Sequence, residues 1–409
     1  MTKLKPGFGK LASVSEALEV LFGHLPGLRT EEVGMDEVLG RVLAVDVTSS
    51  IDVPHFVKAS MDGYAVAAAD TFGAKESAPI PLDVTEAVTP GVPSTERAGD
   101  FKCLEISTGA AMPEGADAVV MVENTDPSGE NVLVRRPVSP GENTIGVGSD
   151  IRKGDRVLRA STLLEPRHLG ALAAIGTGSV KVFAKPRVAL FSTGPELIAD
   201  GSAPSGGRVF DINTATLRAA LISDGCDVKV LGVVPDDLDA LVAALREALV
   251  ESDLVILSGG SSLGRGDLVI EAFGVVGRVL IHGVAVKPGK PLALGVAGIE
   301  GEVQRMMVGL PGYPMSALSD YYVFVRPYLR RAMSLTAIER FVGATLSRKH
   351  PSATGRYEFL PVKLEGGQAI PIGKGSSSIT ALSDADGFIE IEANVEVLEA
   401  GSQVSVRLF

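Results

Sequence analysis

The chain has 409 residues, 45% hydrophobic and 22% charged, with 47 glycines, 24 prolines and only 5% aromatics. That balance excludes a fibre or a disordered tail and, at one domain per roughly 150 residues, predicts two to four globular domains. Lys and Arg number 38 against 50 Asp and Glu, so the net charge of -12 opposes nucleic acid and anionic membranes as partners. Gly, Pro or charge interrupts every apolar run before the roughly 18 residues of a membrane helix. Met1 to Lys10 lacks the apolar core of a signal peptide. Cys103 and Cys226, the 2 cysteines, cannot build a disulfide framework or a thiolate zinc site within one chain. The expected location is the cytoplasm.

Ser13 three residues before Glu16, followed by Leu18, Leu21, Phe22 and Leu25, predicts a capping box opening an amphipathic helix. A second short helix is expected over Asp36 to Ala44. From Val45 the texture turns to short β-prone runs broken by Gly, Pro and Asp, so residues 52–138 are expected to form a β-rich domain inserted into a discontinuous helical and β domain, 10–51 and 139–185. The helical texture resumes at Glu165-Pro166 and stops at Gly176. Residues 186–333 alternate strand-like and helix-like runs, which predicts an α/β layer with a largely parallel sheet. Its strands are expected at Arg187 to Phe191, Asp227 to Val233, Asp253 to Leu257 and Met306 to Gly309, and its helices at Ala215 to Ser223, Leu238 to Val250 and Pro314 to Arg330. Residues 334–409 carry short strands, clearest at Val395 to Leu398 and Val404 to Arg407, and predict a separate β-barrel or sandwich. The expected fold class is therefore α/β plus β, multidomain.

Ligands of open α/β sheets sit at the carboxyl ends of the strands, where helix amino termini face anions. Three polar, Gly-rich loops follow predicted strands: Ser192-Thr193-Gly194-Pro195-Glu196, the run from Ser258-Gly259-Gly260 through Ser262 to Gly264, and Leu310-Pro311-Gly312-Tyr313-Pro314-Met315-Ser316. Glycine lets backbone N–H groups approach an anion, and hydroxyls add donors. Any one of these loops is more simply a tight strand-to-helix turn; three on one edge favour a phosphate or oxyanion pocket. No GxxxxGK[ST] and no strand-following GxGxxG is present, which removes the main support for P-loop and dinucleotide-binding readings. The 5 histidines are scattered without HExxH, against a hydrolytic zinc site.

Glu196, Asp236 and Asp267 each follow a predicted strand, and Asp62 lies in a Gly-containing turn of the insert. Carboxylates without His or Cys favour a hard cation such as Mg²⁺, although a loop Asp is more commonly a helix cap. Lys287-Pro288-Gly289-Lys290-Pro291 sets two cations on a rigid turn, suited to phosphate unless the turn opens away from the Gly-rich edge.

Met61-Asp62-Gly63-Tyr64-Ala65, Ser107-Thr108-Gly109-Ala110 with Pro113 and Gly115-Ala116-Asp117-Ala118-Val119-Val120, Ser192-Thr193-Gly194 with Glu196-Leu197, Asp211 with Asn213, Ser258-Gly259-Gly260 ending in Asp267, Lys287 to Pro291 and Leu310-Pro311-Gly312 resemble, in this order and across almost the whole chain, the molybdopterin molybdenumtransferase family, kin of the gephyrin carboxy-terminal domain. The resemblance implies an elongated homodimer of four-domain subunits, one domain sharing its fold with the molybdopterin adenylyltransferases. It implies an active site between that domain of one subunit and the β-rich insert of the other. The implied reaction is Mg²⁺-dependent insertion of molybdate into adenylylated molybdopterin with release of AMP. Carried over by position, Asp62, Glu196, Asp236 and Asp267 are the functional carboxylates, the last three at the metal. Thr108, Ser192, Thr193, Gly194, Ser258, Gly259, Gly260, Ser262, Lys287, Lys290, Pro311, Gly312, Tyr313 and Ser316 line the substrate site, and the adenylyltransferase is a candidate partner.

Tyr313 departs from the family's usual Asn, Arg265 from a common acidic residue, and Thr144-Ile145 from an apolar-Arg pair, which leaves the choice between molybdate and tungstate open. Two rival readings also remain: the adenylyltransferase step itself, and a non-catalytic pterin-binding scaffold or sensor.

Overall fold

The computed structural model describes residues 11–198, 202–259, 267–298, 304–335, 339–373, 375 and 378–409. Gly260, Ser262 and Arg265 lie outside the described residues. The amino-terminal helix, Val14–Phe22, opens on the expected box: Glu16 N–H donates to Ser13 Oγ while Ser13 N–H donates to the Glu16 carboxylate. Ala17 and Leu21 are its buried face. They enter a core shared with Val188, Leu190, Ile256 and Val308 of the central sheet and with Phe359 and Phe388 near the carboxyl terminus.

Residues on both sides of the β-rich insert meet in a small unit. Thr30–Gly34 pairs antiparallel with Ser179–Phe183, and Val33, Leu43, Leu164, Leu172 and Val182 share one cluster with the helix Pro166–Ala174. The expected helix over Asp36 to Ala44 is not formed. Only Met35–Glu37 makes a 3₁₀ turn, Gly40 is left-handed at φ 75°, and Val42 and Leu43 bridge to Leu163 and Val182 instead. Cross-sheet burial of two apolar residues outweighs a weak local helix preference. Between the two halves of this unit stands a six-stranded sheet in the order Ala118–Met121, Gly63–Val66, Lys102–Ile106, Ile80–Val88, Asn131–Val134, Thr125–Ser128.

The α/β sheet runs Asp227–Val234, Arg187–Thr193, Leu254–Gly259, Arg305–Leu310, Ala293–Ala297, Arg278–His282. The first four strands are mutually parallel and the last two antiparallel, a hairpin-like edge that the sequence pattern left unassigned. Helices Ile212–Ser223, Leu238–Glu251 and Leu268–Val276 follow the parallel strands. The third escaped prediction because its run is apolar almost throughout and shows no polar face. The long helix expected from Pro314 to Arg330 is broken into Pro314–Asp320, a π turn Tyr321–Val325 and Arg326–Ala332. Pro327 has no N–H to donate to the turn before it, and the wider π turn absorbs the mismatch.

The carboxyl-terminal strands close into a five-stranded barrel. Tyr357–Glu365 pairs with both Gln368–Pro371 and Gly387–Ile391, Phe341–Leu346 with Gln368–Pro371 and Gln403–Leu408, and the last with Gly387–Ile391, so no edge is left open in the ring. The expected strand at Val395 to Leu398 is confined to Val397–Leu398, which pairs with His350–Pro351 outside the ring. Phe359 and Phe388 stack at 4.1 Å between ring centres, and Tyr322 of the π turn meets Phe388 at 6.0 Å and Phe409 at 4.9 Å, seating the barrel on the α/β layer. Among the described residues no helix is long and apolar enough to cross a membrane. Truncating the fully buried Phe388 to Ala should cost about 3–5 kcal/mol, read as a lowered denaturation midpoint; a loss below about 1 kcal/mol would show that the aromatic stack does not seat the barrel.

Candidate functional site

Parallel pairing aligns the carboxyl ends of the central strands. Thr193 stands opposite Val234 on one side and Gly259 on the other, and Ser258 stands opposite Leu310. The loops beginning at Gly194, Pro235 and Pro311 therefore leave from one edge. Close pairing also dictates a glycine: Gly259 has φ 103°, and a Cβ there would lie 2.0 Å from the Thr193 carbonyl oxygen.

At this edge the side chains are linked. Thr193 Oγ1 donates to Asp236 Oδ1 at 3.4 Å. The Ser192 hydroxyl donates to Asp211 Oδ1 at 3.1 Å and lies 2.9 Å from the Thr214 hydroxyl, while Asp211 caps its helix by accepting from Thr214 N–H. In the middle, Asn213 Nδ2 donates to Ser258 Oγ at 2.7 Å and to the Gly312 carbonyl at 2.9 Å, and Ser258 Oγ donates to the Pro311 carbonyl at 3.2 Å. One buried amide thus joins three loops. A cavity of about 420 Å³, lined by Ile198, Asp211, Thr214, Arg218 and Val230 among others, opens beside this network.

The basic turn belongs to the same edge. Ala293, just after it, is paired with Gly309, one residue short of the carboxyl end of Arg305–Leu310. Asp267 sits at its root: it caps Leu268–Val276 by accepting from Ile270 N–H, and His282 Nε2 lies 3.1 Å from its Oδ2. Burial raises the Asp267 pKa, and the His282 ring and helix amides offset only part of that rise. Lys287 Nζ lies 3.0 Å from Glu358 Oε1, a barrel carboxylate. Burial pushes Glu358 up, but hydrogen bonds from His350, Lys287 and the Ala353 amide overcome it and bring its pKa down to about 2. Lys290 is not without a partner either. Ser316 is buried, its carbonyl accepting from Ser319 Oγ at 2.9 Å, and Tyr313 is 61% exposed at the amino end of Pro314–Asp320.

Asp62 and Thr108 form a second constellation, in the insert. Asp62 Oδ1 accepts from Thr108 N–H at 2.6 Å and from its hydroxyl at 2.8 Å, which lowers the Asp62 pKa. Both side chains are exposed, so this constellation is open to an external group.

Glu196 and Asp236 are exposed on adjoining loops. Among the described residues, no three His, Cys, Asp or Glu side chains lie close enough to hold a metal ion, so Glu196, Asp236 and Asp267 do not make a three-carboxylate cage. Asp267 is already committed to His282 and to its helix. The donor set of Glu196 and Asp236 still fits Mg²⁺, which commonly takes one or two carboxylates and completes its shell with water and substrate phosphate. Sequence reading passed over Asn213 as a site residue, and with it His282 and Glu358. The available signals were a His closing an apolar strand before Gly283 and a Glu inside the apolar run Tyr357 to Leu360, a burial that demands partners.

Amides, carboxylates and lysines on one sheet edge are the chemistry with which a multidomain α/β protein can hold an anion. Comparison with known proteins narrows it. Residues 12–176 match the MoeA N-terminal region (domains I and II), 189–331 a probable molybdopterin binding domain and 343–409 the MoeA C-terminal region (domain IV). Molybdopterin molybdenumtransferase 2 of Mycobacterium tuberculosis is 34% identical over 407 residues, 97% of this chain and 99% of the relative. A putative molybdopterin biosynthesis protein of Methanocaldococcus jannaschii is 33% identical over 391 residues, 93% and 92% of the two chains. The crystal structure of a molybdopterin biosynthesis MoeA protein from Pyrococcus horikoshii superposes with a TM-score of 0.85 at 39% identity, covering 98% of this chain and 99% of the other. The chain belongs to the molybdopterin molybdenumtransferase family, transferases of molybdenum cofactor biosynthesis.

Two outcomes follow from this geometry. Asn213→Ala should cost about 1–3 kcal/mol, because Ser258 and the Gly312 carbonyl lose a buried partner; an unchanged denaturation midpoint would show that the loops are held without it. Glu358 has an ordinary value of 4.5 and a folded value of about 2, so its contribution, about 3 kcal/mol, is complete above pH 4.5 and is lost as pH falls toward 2. The stability gap between the parent and Glu358→Gln should accordingly shrink between pH 6 and pH 3; a constant gap would contradict the depressed value.

Proposed function

We propose that this protein inserts molybdate into adenylylated molybdopterin, with cleavage of the phosphoanhydride and release of AMP. The observation that carries this reading is the convergence on one edge of the Ser192 to Glu196 loop, the Ser258-Asn213-Gly312 network and the Lys287 to Pro291 turn. Backbone amides at glycine-rich turns suit an oxyanion, the two lysines suit phosphate oxygens, and the hydroxyls of Ser192, Thr193 and Ser258, which donate within the protein, hold the loops in place. The cavity beside Asp211 has room for an organic ring system next to these anion loops. Glu196 and Asp236 are the residues that would hold Mg²⁺. When bound, the cation would supply neutralisation of phosphoanhydride charge.

Asp62 and Thr108 belong to the insert, and their side-chain hydrogen bonds are made to each other. A homodimer in which the insert of one copy faces the α/β edge of the other would bring them to the substrate. On this reading Asp62, fixed as a carboxylate by two Thr108 hydrogen bonds, orients a polar group of the nucleotide or its cation. Tyr313, placed on the Gly312 loop, is the residue for tuning molybdate against tungstate.

Purified protein given adenylylated molybdopterin, Mg²⁺ and molybdate should release AMP in step with metal incorporation; release no greater than a blank would sink the proposal. Asp62→Asn and Asp236→Asn should each lower turnover by about a hundredfold, in the range for loss of one pre-organised electrostatic group, with the dimer mass unchanged. Full turnover in both would remove these two carboxylates from the reacting site. Tyr313→Asn should change the ratio of molybdate to tungstate use, and a constant ratio would remove Tyr313 from the oxyanion site.

A further inference from the structure

The basic turn is held by a part of the chain remote from it in sequence. Val286 pairs with Tyr357 and Lys287 with Glu358 in a short parallel ladder, and Tyr357 N–H donates to the Ala285 carbonyl at 2.9 Å. Glu358 is 4% exposed. Its Oε2 accepts from Ser352 Oγ at 3.1 Å and from Ala353 N–H at 2.9 Å, and its Oε1 lies 3.2 Å from His350 Nε2. All three of these partners belong to the carboxyl-terminal region, so they orient the carboxylate without help from Lys287. The remaining partner of Oε1 is Lys287 Nζ at 3.0 Å, whose side chain is 47% exposed.

The asymmetry is informative. An ion pair that only staples the barrel to the α/β layer would bury both partners, and the Phe359, Phe388, Tyr322 and Phe409 rings already do that work. Here a rigid buried carboxylate presents a half-exposed ammonium at the anion-binding edge. A free lysine samples many rotamers and loses that freedom on binding, whereas Lys287 has been ordered beforehand and keeps N–H groups to offer. The other side of the turn is confined too: Gly289 packs so closely on Asp320 that a Cβ would lie 1.8 Å from its Oδ1.

We infer that Glu358 is a positioning residue for the reaction, through which the carboxyl-terminal barrel sets the Lys287 ammonium against the phosphate groups of the substrate. The inference rests on the proposed function, and it gives the barrel a part in substrate binding. The effect belongs in affinity for the phosphoanhydride, with kcat changed little.

The test is calorimetric titration of the full-length protein with inorganic pyrophosphate, beside the AMP-release assay. Glu358→Gln and Lys287→Met should each weaken pyrophosphate about tenfold and raise KM for the adenylylated substrate by a similar factor. The double variant should be no weaker than Lys287→Met alone, since both changes remove one device. Val362→Ala, a truncation in the buried barrel core, should lower stability and leave pyrophosphate affinity as it was. If Glu358→Gln does not fold, Glu358→Asp, which keeps the charge at shorter reach, should show a smaller weakening that vanishes in the Lys287→Met background.

Parent affinity in the Glu358 variants, a double variant weakened about a hundredfold, or a parent protein that does not bind pyrophosphate would each overturn the inference. A parent that binds pyrophosphate in a Glu358-dependent way yet releases no AMP would overturn the assigned reaction and leave Glu358 as the positioner of Lys287.

Discussion

The constraint on which the rest depends is the parallel register of four strands. Once Thr193 stands opposite Val234 and Gly259, and Ser258 opposite Leu310, every loop with anion-binding chemistry must leave the sheet on one side. A shift of one residue would turn each buried side chain to the other face and would part Asn213 from Ser258. Both faces of the sheet are apolar and covered, by the amino-terminal helix and the π-turn segment on one and by the helices Leu238–Glu251 and Leu268–Val276 on the other. The register is specified by burial, and the site inherits its geometry from it.

The edge carries opposite charges without collapsing on itself, because each charged group has a separate anchor. Asp267 is held by His282 and a helix amide, Lys287 by Glu358, and Asp236 by Thr193. These anchors come from three separated parts of the chain, so the order of the edge is a property of the α/β layer and the barrel together. An acidic molecule can thereby keep a local basic turn, with Lys287 ordered and still half open to solvent.

Much of this was legible in the sequence. The capping box at Ser13 and Glu16 follows from spacing alone, and the four parallel strands follow from the alternation of strand-like and helix-like runs. The antiparallel pair Arg278–His282 and Ala293–Ala297 was not, because a short apolar run does not declare its direction. Leu268–Val276 was hidden for the related reason that burial on nearly all sides erases helical periodicity. Asp36 to Ala44 misled because a weak helical preference gave way to the partners that the Ser179–Phe183 strand and its neighbours offered.

The sequence by itself determined which chemical groups were available and where tight turns had to fall, because residue type and local spacing are properties of the chain. Only the tertiary structure decided which groups meet. That the buried amide of Asn213 joins three loops, that a barrel carboxylate some 70 positions downstream holds Lys287, and that Asp236 and Asp267 are anchored apart are outcomes of register and packing. Contacts at such separations are chosen by the burial of whole faces, and no local signal in the chain encodes them.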